Sequence, residues 1–167
     1  IGASSKIGIL VKGSNYLEAV AEMTTIVFDK TGTLTKGEFK VSEVQPSADK
    51  NNTIGKEELL EIAAYGEGYS NHPIANSIRE AYGKTLSMER VTDTEEIAGH
   101  GIHTFIDGRE VYLGNAKLMD AQNIAYTENK TAGTVVYVAC NNVFAGSIVI
   151  SDTVKEGSKD AIRDMKQ

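Results

Sequence analysis

The fold of this chain is decided by the stretch Thr25-Ile26-Val27-Phe28-Asp29-Lys30-Thr31-Gly32-Thr33-Leu34-Thr35. Its apolar beginning predicts a short, buried parallel strand over residues 25–28. An aspartate directly after such a strand lies at the edge where open α/β sheets bind their ligands. The carboxylate of Asp29 could there attack phosphorus and carry an aspartyl-phosphate. Lys30 would add positive charge, and the amides and hydroxyls of the following turn would contact phosphate oxygens.

Composition places the chain among globular proteins and excludes several classes. Its 167 residues are 41% hydrophobic and 24% charged, with a net charge of −6. No apolar run approaches the roughly 20 residues that span a bilayer, and no Lys/Arg stripe predicts a nucleic-acid partner. The single cysteine, Cys140, lies in an apolar strand-like stretch and is expected to be a buried, reduced thiol, which fits a cytosolic location. Because the first and last elements look interrupted, we expect a fragment of a longer protein.

Apolar periodicity predicts an α+β region between two α/β pieces. Helices are expected over residues 14–23, 56–69, 73–82 and 115–122, and strands over residues 25–28, 39–44, 91–97, 102–106, 109–113, 134–140 and 143–150. Residues 6–12 are expected to form a short strand or an extended segment. The pairs Asp107-Gly108 and Asn141-Asn142 are typical of two-residue hairpin turns. The run 153–156 looks like a capping box that opens a helix to the end of the chain, and residues 46–55 are expected to form a flexible loop.

The run from Asp29 to Thr35 resembles the phosphorylation signature of the P-type ATPases at all seven positions. Related phosphatases of the haloacid-dehalogenase group usually have a second aspartate two residues after the first. Thr31 occupies that position here. The resemblance therefore implies a phosphoenzyme that is not hydrolysed at once, as an ion pump requires.

A second constellation combines Glu67, Ser70 and His72 with the later segment Gly99-His100-Gly101-Ile102. Glycines let a backbone approach a flat ring or a phosphate closely, and a histidine can hydrogen-bond or stack against adenine. The run Ser70-Asn71-His72-Pro73-Ile74-Ala75 is similar to the Ser-x-His-Pro motif of heavy-metal-transporting P-type ATPases. Gly114-Asn115 also resembles a segment of that family near the same pocket.

The resemblance implies an α+β nucleotide-binding domain, an antiparallel sheet flanked by helices, inserted in an incomplete α/β haloacid-dehalogenase-like phosphorylation domain. The expected division is residues 1–40 for the first part of the phosphorylation domain, 41–149 for the nucleotide-binding domain and 150–167 for the start of the returning phosphorylation domain. The implied ligands are ATP and Mg²⁺. The implied partners are the membrane and actuator domains of the same pump, in a plasma membrane.

The family's site residues carry over to this sequence position by position. The phosphorylation loop would supply Asp29 as nucleophile, Asp29 and the Thr31 carbonyl as Mg²⁺ ligands, and Lys30 and Thr33 as phosphoryl contacts. The nucleotide site would consist of Glu67, His72, Gly99, Gly101 and Ile102. The transported ion would not bind this chain, and the inserted region looks closer to the zinc/cadmium/lead pumps than to the copper pumps.

Other functions stay open at this point. A soluble haloacid-dehalogenase-type phosphatase with a cap insertion is disfavoured by Thr31, and a metallochaperone-like module by the absence of Cys-x-x-Cys. His72, His100 and His103 make a weak transition-metal set, because His103 is expected to point outward into solvent. The Thr-Gly-Glu and Gly-Asp-Gly-x-x-Asn-Asp motifs of the pumps are absent, so we expect the chain to bind ATP without turning it over.

Overall fold

A central antiparallel sheet organises the chain in the computed structural model, which describes residues 6, 8–49 and 52–166. The strands are β1 (Thr35–Pro46), β2 (Val91–Ile97), β3 (Gly101–Ile106), β4 (Arg109–Gly114), β5 (Thr134–Cys140) and β6 (Val143–Val154). They are ordered β1-β6-β5-β4-β3-β2, and every neighbouring pair is antiparallel. The helices are α1 (Ser14–Ala21), α2 (Lys56–Gly66), α3 (Pro73–Tyr82), α4 (Ala116–Ala121) and α5 (Ser158–Asp164). The expected antiparallel sheet flanked by helices is confirmed.

Two tight turns set the register of four strands. Asp107 and Gly108 join β3 to β4 with φ angles of +51° and +76°, and Asn141 and Asn142 join β5 to β6 at +49° and +61°. Successive positive φ angles define the turn that matches the twist of paired strands, and Gly, Asn and Asp tolerate that conformation best. Both predicted hairpins are therefore confirmed.

Alternation along the strands divides the sheet into two packed faces. Val111 and Leu113 of β4 pack in the cluster that contains Leu59 of α2 and Ile78 of α3. Tyr112, between them in sequence, belongs to the opposite cluster. That second cluster also contains Leu118 and Met119 of α4, Ile124, Tyr137, Ala139 and Phe144. The sheet is thus covered on one face by α2 and α3 and on the other by α4 and the segment that follows it.

Cys140 lies at the end of β5 and is 7% exposed. Burial raises the pKa of its thiol to about 11, although Arg109 opposes the shift. The cysteine is a free, buried thiol, as the sequence predicts.

Strands β1 and β6 are both longer than the predicted strands 39–44 and 143–150, because each supplies backbone partners that keep the other extended. Their register runs from Thr35 opposite Val154 to Pro46 opposite Gly146. The capping box predicted at 153–156 is wrong for the same reason: Thr153 continues β6 and its hydroxyl donates to the Glu38 carbonyl at 3.1 Å. The last helix begins only at Ser158, after Gly157 at a φ of +83°.

The strand predicted over residues 25–28 is not formed, and residues 8–12 are not a strand either. No strand in the described part of the chain lies beside residues 25–28 to accept their backbone hydrogen bonds, and Val27 is 91% exposed. Helix α1 forms as predicted but ends at Ala21, and none of its residues is buried. The apolar pattern therefore lacks the neighbouring layer that would stabilise it.

The predicted domain boundaries near residues 40 and 149 fall inside β1 and β6. Because the two strands continue past both positions as one ladder, the division into 1–40, 41–149 and 150–167 stays a prediction.

A buried threonine joins the beginning of β1 to the end of β6. Thr35 is 4% exposed, and its hydroxyl lies 2.5 Å from Asp152 Oδ2 and 3.0 Å from the Lys30 carbonyl. The same oxygen accepts from the Gly32 amide at 3.3 Å, and Asp152 Oδ1 accepts from the Gly37 amide at 3.0 Å. One side chain thus ties the segment before β1 to the end of the sheet.

We expect Thr35→Val to lower the free energy of unfolding by roughly 1–3 kcal/mol, because the half-buried carboxylate of Asp152 loses the hydroxyl partner that the buried Thr35 supplies. Thr153→Val, which removes a more exposed hydroxyl from the same pair of strands, should cost less than about 1 kcal/mol. Urea unfolding followed by circular dichroism measures both. Equal losses in the two variants would show that the Thr35 hydroxyl has no special role.

Candidate functional site

A cleft of about 650 Å³ opens where the end of α2, the start of α3 and the turn between β2 and β3 meet. That volume lies within the range of small-molecule sites. Its walls include all five residues that the sequence predicts to bind a nucleotide, namely Glu67, His72, Gly99, Gly101 and Ile102. Three segments separated in sequence therefore meet at one cavity.

His72 is positioned by the helix that it begins. It is the N-cap of α3, and its Nδ1 accepts the Ile74 amide at 3.2 Å, one of the amides that a helix start leaves unpaired. Pro73 follows at the first helical position, where a missing N–H costs nothing. Because Nδ1 is an acceptor, the neutral imidazole carries its proton on Nε2. The exposed ring thus offers an N–H donor at the mouth of the cleft.

Glu67 lies at the C-terminal end of α2, half-buried in the cleft wall. Burial raises the pKa of its carboxyl, and Glu96 across the cleft raises it further. A hydrogen bond from Ser70 and the charges of His72 and Arg79 lower it again. The Ser70 hydroxyl oxygen also accepts the His72 amide at 3.3 Å, so this serine connects both predicted base-binding residues.

Gly99 and Gly101 are glycines for different reasons. Gly99 has a φ of +72°, and a Cβ there would point into open space. A Cβ on Gly101 would lie 2.1 Å from the Leu113 carbonyl and 2.5 Å from Gly114 Cα, its partner across β3 and β4. Gly99 therefore leaves its backbone accessible from the cleft, whereas Gly101 is required by the close approach of two strands.

Asn115 also lines the cleft and holds two of its walls together. Its Nδ2 donates to the Gly99 carbonyl at 2.8 Å, while its Oδ1 accepts the Leu118 amide at 3.2 Å as the N-cap of α4. The helix predicted from residue 115 agrees with a cap at this position, but nothing in the sequence reveals the bond to Gly99. Tyr69, 63% exposed, is a further lining residue that sequence reasoning missed. The helix predicted over residues 56–69 would include it, but α2 ends at Gly66. Tyr69 therefore lies in the turn that follows, where helical periodicity does not predict the position of its ring.

The prediction that His103 is solvated is wrong. Its ring stacks on Tyr112 with centroids 4.5 Å apart, and its Nε2 lies 3.0 Å from Glu110 Oε1. Neighbouring strands bring these side chains onto one sheet face, opposite the cluster of α2. Among the residues that the structure describes, no three His, Cys, Asp or Glu side chains cluster as a metal site.

The acidic face of α2 is more structured than a solvated surface. Glu58 pairs with Arg109 at 2.6 Å, and Glu61 pairs with Arg90 at 2.8 Å. Because these carboxylates are bound to guanidinium groups, they are not available as an acid/base pair.

The predicted phosphorylation loop, residues 29–33, lies directly before β1 and outside the cleft. Residues 29–33 are exposed, and Thr31 and Gly32 form the central pair of a type II turn, with φ angles of −74° and +78°. The carbonyl of Gly32 accepts Lys155 Nζ at 2.6 Å, and the carbonyl of Leu34 accepts the Ser158 hydroxyl at 2.9 Å. Contacts from Lys155, directly after β6, and from Ser158 of α5 therefore hold the turn in place.

The two halves of the predicted site do not share a cavity. Lys30 lines a separate depression with Asp152 and Lys159, and none of residues 29–33 lines the cleft of Glu67 and His72. The loop offers Mg²⁺ the hard oxygen donors that it prefers, the Asp29 carboxylate and the Thr31 carbonyl. Protein sites for Mg²⁺ commonly supply one or two carboxylates and leave the remaining positions to water and phosphate. The donor set fits the ion on that basis.

Comparison with known proteins identifies the family of the chain. The family model described as haloacid dehalogenase-like hydrolase matches residues 23–167. The "Cadmium, zinc and cobalt-transporting ATPase" of Bacillus subtilis (strain 168) is 50% identical over 166 residues, 99% of this chain and 23% of that protein. The chain thus spans about a quarter of the length of this relative. No helix among the described residues has the length and apolar character needed to cross a bilayer.

Two solved structures share the fold at 30% identity. A zinc-transporting PIB-type ATPase in the E2.Pi state superposes with a TM-score of 0.73, over 99% of this chain and 27% of that one. The catalytic domain of the CPx-ATPase CopB-B, from a study of its conformational changes upon nucleotide binding, has a TM-score of 0.65 over 94% of this chain and 55% of that one. The resemblance to heavy-metal-transporting P-type ATPases is confirmed.

We expect Gly101→Ala to lower the free energy of unfolding by at least about 2 kcal/mol, because the new methyl group would overlap the β4 backbone. Gly99→Ala should cost only about 1 kcal/mol, the strain of a positive φ in open space. Thermal and urea unfolding of both variants measure the difference. A larger loss in Gly99→Ala than in Gly101→Ala would contradict the assignment of the two glycines.

Proposed function

The chain belongs to the haloacid dehalogenase-like hydrolase family, and from this we propose that it is the ATP-binding, aspartyl-phosphorylated cytosolic part of a P-type ATPase that pumps heavy-metal cations. The observation that carries the proposal is the meeting of Glu67, His72 and Gly99, with Gly101 and Ile102, around one cleft. The relatives named for cadmium and zinc transport support the same function.

The cleft suits the adenine end of ATP. The Glu67 carboxylate can accept from the exocyclic amine of adenine, and the Nε2–H of His72 can donate to a ring nitrogen or lie against the ring. Ile102 supplies apolar surface, and Gly99 lets its backbone come close to a flat ring because no Cβ intervenes. Gly101 acts indirectly, since it sets the approach of β3 to β4.

Asp29 is the proposed phosphoryl acceptor. Its exposed carboxylate precedes a turn whose Lys30 brings positive charge and whose Thr31 and Thr33 carry hydroxyls for phosphoryl oxygens. Bound Mg²⁺, held by the Asp29 carboxylate and the Thr31 carbonyl, would neutralise charge between the carboxylate and the phosphate. The threonine at position 31 leaves the loop without the second aspartate that serves phosphatases as acid and base.

The remaining parts of the proposal follow from this assignment. The chain would work with the membrane and actuator domains of the same pump, on the cytosolic side of a membrane, and the transported cation would bind outside it. We favour zinc or cadmium over copper as the transported ion, because the Bacillus subtilis relative is named for cadmium, zinc and cobalt and the PIB-type structure for zinc.

Isothermal titration of ATP into the 167-residue chain tests the cleft. We expect saturable binding that His72→Gln weakens at least about tenfold, because the variant loses both the ring donor and the cap of α3. His103→Gln is the matched control, since that histidine lies outside the cleft, and its affinity should equal that of the wild type. If the wild type does not bind ATP, the cleft is not a nucleotide site. Hydrolysis of p-nitrophenyl phosphate by the chain would instead favour a soluble phosphatase.

Acid-stable incorporation of ³²P from ATP tests the acceptor in the whole pump. Asp29→Asn should abolish labelling, because an amide cannot carry the phosphoryl group. Glu22→Gln, which changes an exposed carboxylate seven residues earlier, should leave labelling intact. Labelling that survives in Asp29→Asn would rule out the assignment of Asp29.

A further inference from the structure

We propose that Arg79 of α3 is a positioning residue of the cleft, whose guanidinium group fixes the turn of residues 67–72 and thereby sets the affinity for the nucleotide base. This inference rests on the proposed function, because it assumes that the cleft binds a nucleotide. Neither the phosphorylation motif nor the Ser-x-His-Pro motif includes this arginine.

One guanidinium group binds three acceptors around the turn. Arg79 Nη1 donates to the backbone carbonyl of Glu67 and, at 2.7 Å, to that of Ser70, while Nη2 donates to Asn76 Oδ1. Glu67 ends α2, and Ser70 lies two residues before His72, which begins α3. The guanidinium group therefore joins the start of the turn, at Glu67, to its later part, at Ser70.

Helix geometry explains why position 79 can reach the turn. Side chains of a helix tilt toward its N-terminus, so Arg79, in the second turn of α3, points back toward Ser70. The Asn76 side chain, three residues earlier, shares its face and holds the planar fork in one orientation. The half-buried arginine thus adds a donor to the Glu67 carbonyl, which also accepts the Ser70 amide at 3.1 Å, and supplies one to the Ser70 carbonyl. Positive charge is also favourable near the end of a helix such as α2.

The helices themselves do not depend on this contact. Leu59 and Ala63 of α2 and Ala75 and Ile78 of α3 are each 0% exposed, so apolar packing fixes both helices on the sheet. The turn between them has no buried apolar anchor of that kind: Tyr69 is 63% exposed. Loss of the guanidinium group is therefore expected to loosen the turn and leave the fold intact.

Arg79 also acts on the charge of the cleft. The groups that face the Glu67 carboxyl are Ser70, His72, Arg79 and, from β2, Glu96. Burial raises the pKa of Glu67, and the positive charge of Arg79 opposes that shift. A residue that merely filled space would not move this pKa, which gives the inference a readout independent of stability.

The test compares Arg79→Gln, Arg79→Lys and Arg109→Gln with the wild-type 167-residue chain. Arg109 is the matched control, because its guanidinium group pairs with Glu58 beside a different cavity. ATP affinity is measured by isothermal titration, and the pKa of Glu67 by carbon NMR of its carboxyl group without nucleotide. Thermal unfolding of each variant verifies that it is folded.

We expect Arg79→Gln to weaken ATP binding about tenfold or more and to raise the pKa of Glu67 above its wild-type value. Arg79→Lys, which keeps the charge but not the planar fork, should leave the pKa of Glu67 near that of the wild type and weaken binding less. Arg109→Gln should change neither quantity.

The inference is overturned if Arg79→Gln binds ATP like the wild type, or if the pKa of Glu67 is unchanged in that variant. Should Arg79→Gln fail to fold, Arg79→Lys decides: wild-type affinity together with unchanged amide exchange at residues 68–71 overturns the inference. If the wild type itself does not bind ATP, the proposed function fails. The role of Arg79 in fixing the turn then stands or falls on the pKa of Glu67 and on amide exchange at residues 68–71 without nucleotide.

Discussion

Antiparallel pairing between β1 and β6 determines how the rest of the structure is arranged. The two strands are separated by about a hundred residues, yet their register runs from Thr35 opposite Val154 to Pro46 opposite Gly146. Closing so long a loop costs conformational entropy, which the buried residues of β6 and their packing under α2 recover. The pairing places the loop before β1 beside the residues after β6, so Lys155 and Ser158 can bind the carbonyls of the loop. Without this ladder, no strand or helix would hold the exposed turn of residues 29–33, the proposed phosphorylation site, in a fixed position.

The cleft depends on helix ends and turns, not on the interior of the sheet. A helix end leaves backbone donors and acceptors without partners, and side chains nearby must satisfy them. His72 and Asn115 do so at two helix starts, and Arg79 donates to two carbonyls of the turn after α2. Each of these side chains satisfies the backbone and at the same time shapes the cleft. The proposed binding residues are consequently inseparable from the local structure that positions them.

Local chemistry could be predicted from the sequence, and long-range contacts could not. Strands β2 and β5, helix α3 and both hairpin turns occur where alternation, Pro73 and the Asp-Gly and Asn-Asn pairs predict them. All of these signals act within a few residues. The strand predicted at 25–28 failed because a strand also needs a neighbour, which no residue within it can specify. The capping box failed because pairing with β1 kept Thr153 in β6.

The same distinction applies to the site. The resemblance to a known family, carried by the Ser-x-His-Pro run and the Gly-x-Gly segment, was sufficient to predict five residues that line one cleft. The motifs gave no sign of the contacts of Arg79 or of the bond from Asn115 to Gly99. They also did not show that Gly101 must be glycine because β3 and β4 approach closely there. Those depend on which backbone atoms meet after folding, and only the three-dimensional arrangement shows them. His103 illustrates the reverse error, because alternation fixed its sheet face correctly but could not reveal that Tyr112 and Glu110 cover it.

Charge distribution determines which end of the proposed nucleotide each part of the chain can bind. Glu67 and Glu96 give the cleft negative charge, which repels phosphate and accepts hydrogen bonds from a base. Lys30 and Lys159 line the separate depression beside the proposed phosphorylation turn, where positive charge attracts phosphate. A nucleotide bound by its base in the cleft would therefore have its phosphates drawn away from the carboxylates and toward the lysines. The cleft does not include the turn that carries Asp29. The proposed phosphoryl transfer to Asp29 therefore requires either that the nucleotide extend from the cleft to the turn or that the cleft and the turn approach each other. The ladder of β1 and β6 is the connection through which such an approach would have to act, since it joins the loop to the sheet that carries the cleft.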